Sequence, residues 1–454
     1  MSSHLNIEEL YEKFVQFPFI CTDTRKIVPN SLFFCLKGEN FDGNLFVAEA
    51  LEKGAAYVIT EERREKGERV IVVPDVLKTL QQLATYHRLH LQMPIIGITG
   101  TNGKTTTKEL IAAILSKKYK TASTQGNFNN HIGVPLTLLS IKKDDEMGII
   151  EMGANHLGEI EELCKIARPD YGLITNIGKA HLEGFGSIEN IIETKTALYR
   201  AAQVLFVNAG DEVLREKGEK EKGEKEKGEG TKEKTSPSNF EGVPEGRGSL
   251  YQNPKITFYG KNTDINGHII EMTPCLAIQL FGKKLQTHLT GNYNLPNILG
   301  AAAIGRYFGV PDQDICDAIA EYRPQNHRSQ IIKSGTNTII ADYYNANPTS
   351  MQAALENFLQ IKAPSKLAIL GDMLELGDKS LSEHQAIINF CESNNLKTIF
   401  IGSIFYTLKN DRALFFTNAE ECNDYLTLPH NDGRGNAFIL LKGSRGIHLE
   451  NIRL

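Results

Sequence analysis

The chain has 454 residues, 41% of them hydrophobic and 23% charged, with a formal net charge of −5. Those are the proportions of an ordinary soluble globular protein about three domains long, and the negative balance without an arginine-rich stripe argues against a nucleic-acid partner. Apolar runs are only strand-sized, Met1 to Leu10 has no leader character, and the seven cysteines show no C-x-x-C spacing, so the expectation is a cytoplasmic protein with no membrane insertion and no zinc site.

To about Gln92, short apolar runs (Ser31–Leu36, Ala55–Thr60, Val70–Val73) alternate with turn residues. Leu77, Leu80, Leu83 and Leu91 then follow at helical spacing before Pro94 breaks the pattern. From Ile95 strand and helix patterns alternate. Ile95–Thr99, Gly148–Glu151, Gly172–Ile177 and Val204–Asn208 read as strands of a parallel sheet with covering helices. Glu216–Gly230 then repeats E-K-G-E-K three times, the last copy imperfect. Through Ser249 only Phe240 and Val243 are apolar, so a disordered, nearly charge-balanced insertion is expected at about 215–249. After Gly291 a helical stripe of Ile298, Ala301, Ala302 and Ile304 leads to Gly309. A third α/β stretch begins near Tyr322, with strands at Thr338–Ala341, Leu367–Leu370, Thr398–Ile401 and Phe438–Leu441. The expected domains are 1–92, 93–321 and 322–454.

Residues Ile95 to Thr107 read I-I-G-I-T-G-T-N-G-K-T-T-T, an apolar strand entering a glycine-rich turn that opens a helix. Gly100 and Gly103 let backbone N–H groups approach a phosphate, and the helix dipole faces the same anion. Lys104 supplies charge for the terminal phosphates and Thr105 a hydroxyl for Mg²⁺. The usual first glycine of such a loop would fall at Ile98, so the motif is a variant. A ligand-free Gly/Thr turn is the bland alternative, and the order strand, turn, Gly-Lys-Thr, helix speaks against it.

Glu151 closes an apolar strand beside this loop, where a Mg²⁺ ligand belongs, although a strand-end glutamate is commonly just exposed. His181 lies in a loop on the same edge; alone it would read as a structural or exposed histidine, and the two together bring the metal-site reading level with that of two unrelated polar residues. Ser187 can cap a helix carrying Ile188, Ile191, Ile192, Leu198, Tyr199 and Ala202 on one stripe. Lys195 occupies the missing position of that stripe, so it either snorkels outward or loses its charge. There is no N-K-x-D guanine signature and no G-x-S-x-G elbow, which disfavours a nucleotide switch and a hydrolase.

Taken together, T-G-T-N-G-K-T-T-T, G-N-F-N-N-H-I-G-V-P-L-T-L-L, E-M-G-A-N-H-L-G-E-I and T-N-I-G-K-A-H-L-E-G-F-G resemble the Mur ligase family. Further matches are T-D-T-R at Thr22–Arg25, G-N-Y-N-L-P-N at Gly291–Asn297, D-Y-Y-N-A-N-P-T-S-M at Asp342–Met351, L-G-D-M-L-E-L-G at Leu370–Gly377 and L-K-G-S-R-G at Leu441–Gly446. They cover nearly the whole chain except the charged insertion. E-M-G-A-N-H and Y-N-A-N-P look most like the motifs of the branch that adds D-alanyl-D-alanine to UDP-N-acetylmuramoyl-tripeptide.

The resemblance implies an α/β protein of three domains: an N-terminal UDP-substrate domain, a central P-loop ATPase domain with a parallel sheet, and a C-terminal Rossmann-like domain. It implies an ATP- and Mg²⁺-dependent amide ligase working through an acyl phosphate, in the last cytoplasmic step that builds the peptidoglycan precursor pentapeptide, as a monomer. Gly100, Thr101, Asn102, Gly103, Lys104, Thr105, Thr106, Asn297, Arg328 and Asp342 would meet ATP. Thr105, Glu151, His181 and a carbamylated Lys195 would surround the metal, and Lys104, Lys195, Glu151 and His181 form the implied catalytic set. Thr24, Arg25, Asn127, Asn129, Asn130, Asn345 and Asn347 would contact the other substrates. Two departures stand out: Asn44 occupies a position where a histidine is usual, and the residues before Lys195 are not the common A-K-G-E form. The alternative is a Mur-type or folylpolyglutamate-type ligase adding a single amino acid.

Overall fold

The computed structural model describes residues 6–39, 41–62, 67–227, 255–325, 327–426 and 436–454. Its first parallel sheet is built from Ile20–Cys21, Leu32–Phe34, Tyr57–Thr60 and Val70–Val72 in that order. Helix Ile7–Gln16, capped by Asn6, lays Leu10 and Phe14 on this sheet. Helix Val76–His90 begins at the Asp75 cap and carries Leu80 and Leu83 inward. These residues share one hydrophobic core with Val134, Leu138 and Ile150 of the central domain, so the first two domains are joined through apolar contact rather than a thin linker.

Arg88 fastens the same joint. Fully buried, it donates to the carbonyls of Ala167, Leu91 and Arg168 and to Asp170 Oδ2 at 2.7 Å. Asp170 Oδ2 also accepts the backbone N–H of Ile95, the first residue of the strand that leads to the phosphate loop. Removing the Asp170 carboxylate would leave the Arg88 charge buried without its counter-ion, a destabilising change.

The central sheet is six-stranded and all parallel, in the order Lys255–Tyr259, Val204–Asn208, Tyr171–Ile174, Ile95–Thr99, Met147–Glu151, Thr121–Ser123. Helices Lys104–Leu115, Leu295–Tyr307 and Asp312–Glu321 cover one face and share its core. A three-stranded antiparallel sheet (Gly267–Met272, Leu276–Leu280, Lys283–Gln286) packs into that core as well. The expected strand Gly172–Ile177 stops at Ile174, because Thr175 and Asn176 turn away to brace the phosphate loop.

The expected insertion at about 215–249 is corrected over its first part. Helix Glu212–Lys227 occupies it, with Leu214 buried and Gly218 lying against Val207 and Tyr199. Glutamate and lysine are good helix formers, and the parallel pairing of Val204–Asn208 with Lys255–Tyr259 requires a crossover that a helix can supply. The remainder, 228–249, lies outside the described residues.

The third domain has a six-stranded sheet in the order Gln330–Ser334, Asn337–Asp342, Ala437–Lys442, Ser365–Gly371, Thr398–Ile401, Leu414–Phe416. Only the first pairing is antiparallel. Apolar clusters fill both faces, as a doubly covered parallel sheet requires. Among the described residues no helix is long and apolar enough to cross a membrane.

Candidate active site

Strand Ile95–Thr99 delivers the phosphate loop to the carboxyl edge of the central sheet, where open α/β sheets bind ligands. Gly100 has φ +144°, and a Cβ there would lie 1.9 Å from Thr175 Oγ1. Gly103, at φ +78°, caps helix Lys104–Leu115, and its Cβ would collide with the Asn297 amide at 2.7 Å. Neither position has room for a side chain. The next strand's tail grips the loop: Thr175 Oγ1 donates to Asn102 O at 2.6 Å, Asn102 N donates to Asn176 Oδ1 at 3.0 Å, and Gly178 N donates to Thr101 Oγ1 at 2.9 Å. The loop is thereby braced at the N-terminus of helix Lys104–Leu115, an arrangement suited to an anion.

Lys104 Nζ folds back on that loop, donating to Gly100 O at 2.8 Å and Thr101 O at 3.1 Å. Burial pushes its pKa below the ordinary value; Glu151 opposes the shift and the Arg328 charge adds to it. An ammonium in such a setting gains by meeting an anion.

Glu151 is buried at the end of its strand, held by its N–H donating to Thr124 Oγ1 at 3.0 Å. Its Oε1 accepts Thr105 Oγ1 at 3.2 Å and Asn129 Nδ2 at 2.9 Å, while Oε2 has no partner. A buried carboxylate oxygen without a donor, beside a loop hydroxyl, fits a cation. His181 lines the same cavity, at φ +50° before the short helix Leu182–Phe185. Its Nδ1 is turned to the third domain, 2.5 Å from Glu375 Oε2 in an approach off the line of a good hydrogen bond. The neighbouring imidazole lowers the Glu375 pKa. Among the described residues no three His, Cys, Asp or Glu side chains are gathered as a ready metal cage.

Lys195 lies on the buried face of helix Ile188–Ala201, which Ser187 caps by accepting Asn190 N at 3.2 Å. The lysine is 3% exposed and makes no hydrogen bond or ion pair among the described residues; its Nζ sits 5.8 Å from the Phe185 ring centre. Burial, followed by repulsion from Lys104, brings its pKa down to about 7, with Glu159 opposing. The snorkelling alternative does not hold for this side chain.

The third domain closes the opposite wall. Asn347 and Asn102 pair through their amides at 2.8 Å, and Lys179 N donates to Thr349 Oγ1 at 3.0 Å. Asn345 lines the cavity and its Oδ1 accepts Ala346 N. The Arg328 guanidinium stacks 3.7 Å from the Tyr344 ring centre, with its Nε buried and unpartnered. Asp342 Oδ1 accepts Ser329 N at 3.0 Å, and its Oδ2 is paired with Lys442 at 2.5 Å. Asn297 is buried and donates to Asn294 Oδ1.

One cavity of about 1410 Å³ therefore brings together Thr101, Asn102, Gly103, Lys104, Thr106, Glu151, His181, Asn297, Arg328, Asp342, Asn345 and Asn347, and extends to Asn127, Asn129 and Asn130. Gly100 belongs to the same loop and Thr105 to the first turn of the helix it opens, whereas Lys195 is not among the residues that line the cavity. Thr24 and Arg25 are not gathered there. They form a short turn of the first domain in which Arg25, its side chain 85% exposed, pairs with Asp23 at 2.8 Å. Asn44 is buried and structural: Oδ1 accepts Thr60 Oγ1 and Glu61 N, and Nδ2 donates to Asp42. Lys442 and Glu375 carry site contacts that their motifs alone do not assign. Lys442 belongs to L-K-G-S-R-G and Glu375 to L-G-D-M-L-E-L-G, and their partners are far away in sequence.

Three family models match in chain order: the Mur ligase family catalytic domain over residues 16–88, the Mur ligase middle domain over 98–305, and the Mur ligase glutamate ligase domain over 327–444. The chain is 33% identical to the UDP-N-acetylmuramoyl-tripeptide–D-alanyl-D-alanine ligase of Bacillus subtilis (strain 168), covering 95% of this chain and 92% of that one. A crystal structure of MurF from Acinetobacter baumannii superposes with a TM-score of 0.81 at 30% identity, covering 95% and 91% of the two chains. MurF ligase from Thermotoga maritima in complex with ADP gives 0.78 at 25% identity, covering 96% of each. With that likeness running through all three domains, the chain belongs to the Mur ligase family.

Proposed function

We propose that the chain joins D-alanyl-D-alanine to UDP-N-acetylmuramoyl-tripeptide, with ATP as the energy source and Mg²⁺ as the metal, in the last cytoplasmic step that builds the pentapeptide precursor of peptidoglycan. The observation that carries this reading is the single cavity in which the phosphate loop and Glu151 face Arg328 and Asp342 of the third domain, in a chain similar along its length to ligases of that name. That the Thermotoga maritima relative forms a complex with ADP supports a nucleotide ligand for this chain.

A carboxylate is a poor acyl donor, so the tripeptide's terminal carboxylate must first take the γ-phosphoryl group, and that transfer depends on positioning and charge neutralisation. The N–H groups of the first turn of helix Lys104–Leu115 and the Lys104 ammonium hold the phosphates. Lys104 leaves the carbonyls of Gly100 and Thr101 for a phosphate oxygen, a stronger acceptor. When bound, Mg²⁺ neutralises phosphate charge. It is a metal that keeps waters and substrate oxygens and so needs only one or two protein carboxylates, which suits Glu151 and Thr105 without a cage. Asn129 keeps Glu151 oriented. The neutral amine of the dipeptide then attacks the acyl carbon, with Lys104 and Arg328 supplying positive charge near the developing oxyanion; collapse breaks the bond to the phosphoryl oxygen, so inorganic phosphate leaves and the nitrogen's proton passes to solvent. No covalent nucleophile of the protein is needed.

Lys195, buried and drawn toward neutrality, is suited to capture CO₂. Its amine would attack the carbon and release a proton to solvent, and the resulting carbamate would join Glu151 and His181 among the groups that would hold the metal. The acyl-phosphate step is tested with tripeptide substrate labelled with ¹⁸O in its terminal carboxylate. The label should appear in the released phosphate, and unlabelled phosphate would exclude that intermediate.

A further inference from the structure

A buried cation ends the polar chain on the third-domain wall of the cavity. Lys442 closes strand Ala437–Lys442 and is 2% exposed, a location where an ammonium persists only with a partner. Sheet register places it directly opposite Asp342, and its Nζ donates to Asp342 Oδ2 at 2.5 Å. The other carboxylate oxygen accepts Ser329 N, and the Ser329 hydroxyl lies 3.0 Å from Tyr293 OH. Asp342 is thus held by the neighbouring strand on one side and, on the other, by the connection from the central domain.

A carboxylate offers about four lone-pair sites, and these two contacts leave acceptor capacity on the cavity that Asp342 and Lys442 both line. Phosphate would be repelled by Asp342, so the ligand group it can accept from is a neutral donor, such as a sugar hydroxyl. Lys442, its charge matched by Asp342, is a poor phosphate clamp. Resting on the reading of this cavity as the ATP site, we propose that Lys442 is a positioning residue for the nucleotide, holding the Asp342 side chain in one rotamer so that its free lone pairs meet a nucleotide hydroxyl. Preorganisation of this kind shows as affinity, because no carboxylate has to be ordered on binding.

Calorimetric titration of ADP into the full-length protein tests this with Lys442→Met, Lys442→Arg, Asp342→Asn and the double variant Asp342→Asn/Lys442→Met. Loss of a charge-assisted hydrogen bond should weaken ADP by on the order of tenfold or more in Lys442→Met, with Lys442→Arg keeping most of the affinity. KM for the UDP-substrate should stay within about twofold of wild type in Lys442→Met, because the altered contact lies on the nucleotide side of the cavity. The double variant should bind ADP no more weakly than Asp342→Asn, since Lys442 acts only through Asp342. Wild-type ADP affinity in Lys442→Met overturns the proposal, as does a double variant clearly weaker than Asp342→Asn, which would put Lys442 on the nucleotide itself. If Lys442→Met does not fold, the double variant, with both charges removed, decides: wild-type affinity there also overturns it. Failure of the dipeptide-ligase reading would appear separately, as wild-type protein that binds ADP yet releases no phosphate with the dipeptide.

Discussion

Asn102 of the phosphate loop and Asn347 of the third domain exchange side-chain amide contacts, Asn347 Nδ2 donating to Asn102 Oδ1 at 2.8 Å and Asn102 Nδ2 approaching Asn347 Oδ1 at 3.4 Å. Asn347 is also the cap of helix Pro348–Gln360, accepting Ser350 N at 2.9 Å. With Lys179 N on Thr349 and Lys179 Nζ on Glu383 at 3.0 Å, docking of the third domain and the shape of the phosphate loop become one arrangement.

The two jobs of Asn347 separate by substitution. Asn347→Ser keeps a capping oxygen and loses the amide pair, so kcat should fall on the order of tenfold with little change in melting temperature. Asn347→Ala should lose the cap as well, about 1 kcal/mol of stability. Steady-state kinetics and thermal denaturation check both. Equal kcat in Asn347→Ser and wild type would show that the pair is a passive contact.

Lys104→Ala should lower kcat by on the order of a hundredfold or more, the usual consequence of removing one well-placed charge stabiliser. Binding of the UDP-substrate, measured by calorimetry, should be nearly unchanged, because the hydrogen bonds of Lys104 among the described residues go to the phosphate loop. A near wild-type kcat would refute the phosphate-loop assignment.

Local patterns are legible in the sequence. Ile95–Thr99, the Gly-Lys-Thr turn, the Ser187 cap and the inward position of Lys195 all stand as the spacing predicts. Pairing over distance is not legible. Nothing near Asp342 announces Lys442, 100 residues away, and nothing near His181 announces Glu375. The antiparallel strands between Gly267 and Gln286 have mixed polarity because only part of each is buried, so period-2 alternation is weak there. The E-K-G-E-K repeat misleads in its first copies because composition without apolar residues reads as disorder. The start of that helix is anchored upstream by Leu214.

Lys195 links site chemistry to pH. With a pKa near 7 in the native protein and an ordinary value of 10.5, its neutral, CO₂-reactive form dominates above about pH 7, and activity should rise as pH passes upward through that value. Stability follows the same sign: between about pH 7 and 10.5 the unfolded chain binds this proton and the native one does not, so stability climbs with pH across that window and Lys195→Met should flatten the climb. Lys195→Ala should be nearly inactive and regain activity with added short carboxylic acids, which replace the missing anion. Absence of rescue, together with wild-type activity indifferent to bicarbonate removal, would count against the carbamate.

The most direct measurement is phosphate release from ATP across a matrix of UDP-muramyl peptides and acceptor amines. Sustained release is predicted only when UDP-N-acetylmuramoyl-tripeptide and D-alanyl-D-alanine are present together, with the pentapeptide product detected by mass. Equal turnover with a single amino acid such as D-glutamate, or with folate and glutamate, would contradict the dipeptide-ligase account.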